Sequence, residues 1–201
     1  MGIRSPHHFL RRPIMGTTAI IIIAIIVVLL IIAILYFIST QRSLVKLDEN
    51  INNAMSQIGV QLNSRWDALT ALSDLARQFA SHETEVFMES IKLRRQLTPT
   101  STDADVQAQE TALKRAVGSI NAVAEAYPEL KSNEVYLKTM DSVNKYEDTV
   151  RVSRMVYNDS VTKLNRACRM FPSSIVASML HFEIREYLEV PAGKTEMPSM
   201  H

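Results

Sequence analysis

The pair His82-Glu83 is the part of the chain that comes nearest to a hydrolytic metal motif. A zinc-protease helix carries a second His four residues after the first, so that both imidazoles reach one ion. Val86 stands at that position, and the five His residues are scattered along the chain. The Glu-x-x-His element of carboxylate-bridged iron sites is also missing. We therefore expect no bound metal and no other cofactor.

Motifs for nucleophilic catalysis and phosphate binding are missing as well. The one cysteine, Cys168, falls in an amphipathic run, where it is typical of a small apolar filler, and a lone cysteine excludes an intrachain disulfide. The sequence has no Gly-x-Ser-x-Gly and no glycine-rich phosphate loop. The formal net charge is only +1 and no basic cluster occurs, which argues against a nucleic-acid partner. These features favour a non-enzymatic protein.

Several charged residues lie close to apolar positions of predicted helices. Arg65 and Asp67 adjoin the apolar stripe of the first helix. Glu147, Arg154 and Asn158 share one face of the last helix, at spacings of seven and four residues. One interpretation is a set of surface ion pairs, each worth ~0–1 kcal/mol. The other is a polar layer in the bundle core that fixes how the helices align.

These residues follow an uncharged apolar run, residues 19–38. About 20 helical residues at ~1.5 Å rise span the ~30 Å hydrocarbon core of a bilayer. The run is too long for the apolar region of a cleaved signal peptide, and no small-x-small cleavage site follows it. We expect an uncleaved, single-pass anchor that contacts lipid through residues such as Ala19, Ile25, Leu30 and Ile38.

Basic residues give the expected orientation of this anchor. Three arginines and no acid precede the span, whereas Arg42 and Lys46 follow it. The positive-inside rule counts basic residues, so a narrow margin favours a cytoplasmic N-terminus. The expected organisation is a cytoplasmic tail at 1–12, the anchor at 13–40, a helical domain at 41–189 and a disordered tail at 190–201.

The residues after the anchor show the periodicity of helices rather than strands. Apolar residues recur at three- and four-residue spacing from Leu44 to Phe79, from Val106 to Val123 and from Leu137 to Phe171. We predict an all-α fold, with an N-terminal single transmembrane helix followed by an antiparallel bundle of three to four long helices. No breaker separates the membrane helix from the first bundle helix.

Loop and cap residues place the ends of these helices. Residues 98–103 are a predicted loop, and Asp103 is expected to cap a helix that Tyr127-Pro128 ends. Ser132 or Asn133 is expected to cap the last long helix, before an apolar stretch at 175–182 that packs back on the bundle.

Two features of the first half of the domain leave alternatives open. Gly59 lies inside the first helix, where we expect it to allow a close contact with another helix. The periodic run at 86–97 either continues that helix or forms a second one after a kink.

Three blocks of the sequence resemble the LemA family of bacterial proteins. They are residues 56–65 (SQIGVQLNSR), residues 82–87 (HETEVF) and residues 122–134 (AVAEAYPELKSNE). The third block is the most specific and contains Glu125, Tyr127 and Pro128. The closing pattern of the family is matched in order and spacing by Tyr157, Asn158, Asn165, Phe171, Pro172, Ala177, Phe182 and Tyr187.

The chain departs from this family pattern at three places. Thr70-Ala71 stands where many members have Pro-Asn, the second Tyr-Asn is Leu164-Asn165, and the usual Tyr-Phe is Tyr187-Leu188. If the Asn and Tyr-Phe positions carry partner contacts in the family, this member differs in its partner.

The resemblance implies a single-pass protein of the bacterial inner membrane, with a helical bundle outside the cytoplasm and no established catalytic activity. One branch of the family, the MamQ-like proteins, belongs to the magnetosome membrane, where the bundle would lie in the lumen. The tail at 191–195 is similar to that branch. Partners implied are the lipid bilayer, through residues 19–38, and an unidentified membrane or extracytoplasmic protein. A homo-oligomer stays open.

Three functions are then weighed against one another. The first is a membrane-anchored scaffold, which in the magnetosome branch would support membrane invagination or organelle assembly. The second is an extracytoplasmic ligand or metal sensor, which the short tail before the span disfavours. The third, an enzyme, lacks recognisable catalytic parts.

Overall fold

The computed structural model describes residues 14–79 and 94–189. Their five helices are α1 (Ile14–Ala76), α2 (Asp103–Ala126), α3 (Pro128–Lys131), α4 (Glu134–Arg169) and α5 (Ser173–Met179). No strand occurs in this part of the chain. The chain divides into two compact units between Ser43 and Leu44. The predicted all-α class, with a long apolar helix ahead of a helical bundle, is confirmed.

The apolar part of α1 makes no core of its own. It has a mean hydropathy of 3.6 over its most apolar window, and none of that window is buried. Ala19, Ile25, Leu30 and Ile38 are all exposed. A helix that is apolar on every side requires an apolar surrounding, which a bilayer provides. The length and composition of this helix therefore suit a membrane span.

Three apolar stripes form the core of the second unit. Most of the predicted α1 stripe is buried, together with Trp66, but Leu47 and Phe79 are only half-buried and Phe79 lies beyond the end of α1. The buried apolar side chains of α1 are Leu44, Ile51, Ala54, Met55, Ile58, Leu62, Trp66, Leu69, Leu72 and Ala76. Those of α2 include Val106, Leu113 and Ile120, and those of α4 include Val143, Val150, Tyr157, Val161 and Leu164.

Both ends of the predicted α4 stripe were wrong. Leu137 is exposed because its neighbour Tyr136 takes the core position and donates a hydrogen bond from its hydroxyl to Asn121 Oδ1 at 3.0 Å. Phe171 is 80% exposed because α4 ends at Arg169 and the chain turns outward there. Periodicity gives the face of a helix, but it does not show where the neighbouring helix stops.

Long-range ion pairs give the direction of the helices. Arg65 of α1 pairs with Glu147 of α4. Asp48 of α1 pairs with Arg185, whose backbone is bound by Asn165 of α4. Moving along α1 from 48 to 65 therefore corresponds to moving back along α4 from 165 to 147, and both steps cover ~26 Å. The helices α1 and α4 are antiparallel.

The shorter helix α2 is also antiparallel to α4. Its Asn121 meets Tyr136 near the start of α4, and its Glu110 meets Arg154 further along. It follows that α1 and α2 run in the same direction. The segment 94–98, which has no helix, runs back along α1 and brings the chain to the start of α2.

Gly59 does allow a close approach, but not by a helix. A Cβ atom at this position would lie 3.4 Å from the Cβ and the carbonyl oxygen of Leu97. The segment that occupies the space left by the absent Gly59 side chain is thus the non-helical stretch 94–98. The run from Val86 that was expected to be helical lies outside the described residues up to position 93.

The helix ends differ slightly from the predicted ones. Thr102, not Asp103, is the N-cap of α2, and a capping box joins its side chain to the backbone N–H of Asp105 while the Asp105 carboxylate accepts from the Thr102 N–H. Asn133 caps α4, as expected, by accepting from the N–H of Val135. Pro128 occupies the first turn of the short helix α3.

Candidate functional site

The polar layer begins with Arg65 on the buried face of α1. Its side chain is 9% exposed, and its Nη2 lies 2.7 Å from Glu147 Oε2, while the Glu147 side chain is 42% exposed. The Arg65 Nε has no hydrogen-bond partner. An Arg keeps its charge at any ordinary pH, so this site requires an acid. Glu147 supplies that acid from the edge of the core.

A second buried arginine, Arg154, lies on α4 about two helical turns after Glu147. Arg154 Nη2 is 3.0 Å from Glu110 Oε2, and Arg154 Nη1 donates to the carbonyl oxygen of Glu189. Both side chains are largely buried, but Nε and Nη2 of Arg154 make no directed hydrogen bond. Sequence reasoning missed Glu110. Its signal was an acid between Val106 and Leu113, at four- and three-residue spacing on the α2 stripe.

Burial changes the proton affinity of this acid. Desolvation raises the pKa of Glu110, and the positive charges of Arg154 and Arg65 offset only part of that effect. The nearby acids Glu147 and Asp103 raise the pKa further. Two arginines and two glutamates thus form one coupled cluster between α1, α2 and α4, in which the desolvation of Glu110 outweighs its attraction to the cations.

A hydrogen bond between two uncharged side chains lies next to this cluster in the sequence of both helices. The Trp66 indole N–H donates to Gln109 Oε1 at 3.1 Å, and the same oxygen accepts from the backbone N–H of Arg95 at 3.0 Å. Both side chains are buried. Trp66 therefore packs in the bundle core, and Gln109 joins three parts of the domain: α1, α2 and the segment 94–98.

Two asparagines of α4 bind a non-helical C-terminal segment. Asn165 donates to the carbonyl oxygen of Arg185 and accepts from its N–H, both at 2.8 Å. Asn158 does the same with Leu188, at 2.8 and 2.9 Å. Seven helical residues rise ~10.5 Å and three extended residues span ~10 Å, so the two spacings match. Each amide acts as a strand partner for the segment.

We call residues 182–189 the strap. Leu188 of the strap is buried, Tyr187 points outward, and the N–H of Glu189 donates to Asp103 Oδ1 at 3.0 Å. The strap therefore runs along α4 to the start of α2, over the stretch of α4 that α2 does not reach. The amides of Asn158 and Asn165, which we considered as partner contacts, are occupied by the chain's own backbone.

The remaining predicted site residues do not converge. Asp67 lies outside the core and pairs with Arg94 at 2.7 Å. Glu125 is exposed, Tyr127 is half-buried and both flank the turn into α3 at Pro128. Tyr157 is buried, which raises the pKa of its hydroxyl, whereas Pro172 is exposed in the turn after α4. His82 and Glu83 lie outside the described residues.

Cys168 has the surroundings of a structural residue. It is half-buried, and its Sγ lies 3.8 Å from the carbonyl oxygen of Phe182 in the strap. Burial raises the pKa of the thiol, so it stays protonated and unreactive near neutral pH. Within residues 14–79 and 94–189, no three His, Cys, Asp or Glu side chains are grouped so as to hold a metal ion.

Replacing Glu147 by Ala tests the polar layer. We expect a loss of at least ~1 kcal/mol in the free energy of unfolding, measured with urea on the full chain in detergent, because Arg65 would keep a buried charge without its acid. Asp148→Ala is the matched control, since it removes an exposed ion pair with Arg151 and should cost under ~0.5 kcal/mol. A loss below ~0.5 kcal/mol for Glu147→Ala would contradict the interpretation of these residues as a stabilising polar layer.

Replacing Glu110 by Gln tests the raised pKa. The native state binds the Glu110 proton at pH values where the unfolded state, with an ordinary pKa of 4.5, has released it. The stability contributed by Glu110 therefore falls as pH rises from 4.5 through the raised pKa. We expect the unfolding free energy of the wild type, minus that of Glu110→Gln, to decrease over this range.

The matched control for this experiment is Glu125→Gln, which changes an exposed glutamate on the same helix. Its difference from the wild type should vary less with pH. A Glu110→Gln difference that stays constant or grows as pH rises would contradict the assignment.

Comparisons with known proteins agree with this architecture. Residues 54–201, more than half of the chain, match the model of the LemA family. A Protein LemA from Metamycoplasma hominis is 25% identical over 153 residues, which cover 73% of this chain and 68% of that protein.

The chain is also similar to magnetosome proteins over a shorter stretch. MamQ 1 and MamQ 2 from Paramagnetospirillum magneticum and MamQ from Magnetospirillum gryphiswaldense are each 33% identical to it over 81 residues. That stretch covers 40% of this chain and only 30% of each MamQ protein. The match over the helical domain, preceded by an apolar helix long enough to cross a membrane, leads to one conclusion: the chain belongs to the LemA family and is a membrane-anchored member of it with an all-α fold.

Proposed function

We propose that the protein is a non-enzymatic scaffold, held at a membrane by residues 19–38, which presents its helical domain to another protein. The observation that carries this proposal is that the chain consists of two different parts. The apolar part of α1, which has no buried residue over its most apolar stretch, precedes a unit that closes its own core. The charged groups of that core are paired with one another across α1, α2 and α4. The domain can therefore present a stable folded surface to another protein.

An anchor of this kind contributes to binding without adding contacts. A domain tethered to a membrane meets partners in the same membrane at a high local concentration, so weak interactions become populated. The matching family is not named for a reaction, and the described part of the chain contains helices and no strand. We infer the domain limits 13–40 for the anchor and 41–189 for the helical domain.

We further propose that the N-terminus is cytoplasmic and the domain extracytoplasmic, at the bacterial inner membrane. Support comes from the three arginines that precede the span. A magnetosome version of the scaffold, in which the domain assists membrane invagination or organelle assembly, draws its support from the MamQ likeness over 81 residues. A ligand or metal sensor has no comparable observation in its favour.

Deleting residues 19–38 tests the scaffold. We expect the protein to leave the membrane fraction while its circular dichroism stays helical and its urea transition stays cooperative, because the core lies after Ser43. Cross-linking in cells should capture a membrane or extracytoplasmic protein with the full chain and lose it with the deletion. A truncated domain that fails to fold, or a cross-linked partner that survives the deletion, would count against the proposal.

A labelling experiment tests the orientation. Cys168→Ser removes the native thiol, and Ser199→Cys places a new one in the C-terminal tail. We expect a membrane-impermeant maleimide to label this variant in intact cells, because the domain faces away from the cytoplasm. Labelling only after lysis would reverse the orientation or place the domain in an organelle lumen, and imaging of the tagged chain separates these two results.

A further inference from the structure

The turn after α4 and the helix α5 carry an exposed apolar surface, which we call the apolar tip. It is made by Met170, Phe171, Ile175 and Met179. Phe171 is the most exposed of the large apolar side chains in the described part of the chain, at 80%. Soluble surfaces seldom gather large apolar side chains without a partner, so a cluster of this kind marks an interaction site.

The tip is built firmly enough to keep these side chains outward. Val176 and Ala177 are buried and attach α5 to the domain. Ile175 and Met179 are four residues apart, so they share the opposite face of α5. The Ser173 hydroxyl lies 2.8 Å from the carbonyl oxygens of Ala167 and Met170, which closes the turn that holds Phe171.

The position of the tip in the domain suggests what covers it. Asp48, through Arg185 and Asn165, lies at the level of residue 165 of α4. Arg169 is one helical turn further on, at the level of Leu44. The apolar tip is therefore at the end of the second unit where the chain enters from the anchor. Only residues 39–43 lie between Ile38, at the end of the apolar run, and Leu44. Ile38 and Leu44 are therefore at most ~20 Å apart, even for an extended chain.

We propose that the apolar tip enters the headgroup layer of the bilayer that holds residues 19–38, as a second membrane contact of the protein. An apolar surface on a short tether to a membrane is presented to lipid at a high local concentration. Insertion of Phe, Met and Ile side chains at the boundary between headgroups and acyl chains removes them from water. This inference rests on the anchor of the proposed function and goes beyond it.

Charge gives the contact little help. Arg166 and Arg169 are exposed near the tip, but so are Glu183 and Glu186. The two signs balance, so anionic headgroups are not required. Binding by the apolar side chains should persist in purely zwitterionic lipid.

The experiment reads the depth of an indole in the bilayer. Full-length protein with Phe171→Trp is reconstituted into phosphatidylcholine vesicles, with and without phosphatidylcholine brominated in the upper acyl chain. The control is Met155→Trp, at an apolar position of α4 that is 66% exposed and lies ~20 Å further from the tip. The native Trp66 is buried in the core, and wild-type emission is subtracted from both.

We expect the Phe171→Trp indole to emit at shorter wavelength and to lose more emission to brominated lipid than the Met155→Trp indole does. A water-exposed spectrum with no quenching at 171 would overturn the apolar tip as a lipid contact. Equal quenching at both positions would overturn it as well, because the whole domain would then lie on the membrane. A blue shift without quenching, dependent on the ratio of protein to lipid, would assign the tip to a second copy instead.

Flotation of the same vesicles separates this inference from the proposed function. Protein that fails to float with the vesicles overturns both the anchor and the tip contact. Protein that floats, but whose 171 indole is not quenched, overturns only the tip contact.

Discussion

Two guanidinium groups that cannot lose their charge constrain the helical domain. Arg65 and Arg154 are buried, and each requires a carboxylate within ~3–4 Å, because an isolated charge in a protein interior is costly. Glu147 of α4 pairs with Arg65 of α1, and Glu110 of α2 pairs with Arg154 of α4. A slip of either contact by one helical turn would separate a charge from its partner by ~5 Å. Apolar stripes allow several alignments of long helices, and we propose that the ion pairs select one.

The strap solves a second problem of the same domain. Helix α2 starts only at Asp103, so it leaves part of α4 uncovered. An extended segment can cover that part only if its backbone N–H and C=O groups find partners. Asn158 and Asn165 provide them, because a side-chain amide offers one donor and one acceptor, as a neighbouring strand does. Their seven-residue spacing on α4 matches the three-residue spacing of Arg185 and Leu188 in the strap.

The sequence predicted the parts of this fold that follow from local rules. The apolar run at 19–38 and the buried stripe of α1 follow from composition and periodicity. The cap by Asn133 follows from residue type, and Thr102 shows the limit of that rule, because Asp103 was an equally good candidate for the same role. The exposed Leu137 and Phe171 and the missed Glu110 depend instead on which helix lies opposite, a long-range property that a single sequence does not contain.

The strap was harder to foresee for a related reason. Its residues show no strand pattern of their own, since their partners are side chains on a distant helix. Asn158 and Asn165 were singled out through the family pattern, and their geometry then supplied a physical role for them. Glu147, Arg154 and Asn158 were grouped by spacing alone, but their partners differ. Glu147 contacts α1, Arg154 contacts α2 and the strap, and Asn158 contacts the strap.

The order in which the chain is made gives the strap one more consequence. During synthesis, α1, α2 and α4 all emerge before residues 182–189, and domains fold as their segments become available. Until the strap arrives, the amides of Asn158 and Asn165 and the site of Leu188 stay open to water. The nascent domain thus passes through a period in which one side of its helix pair is uncovered. Release of residues 182–189 then covers that side of the domain.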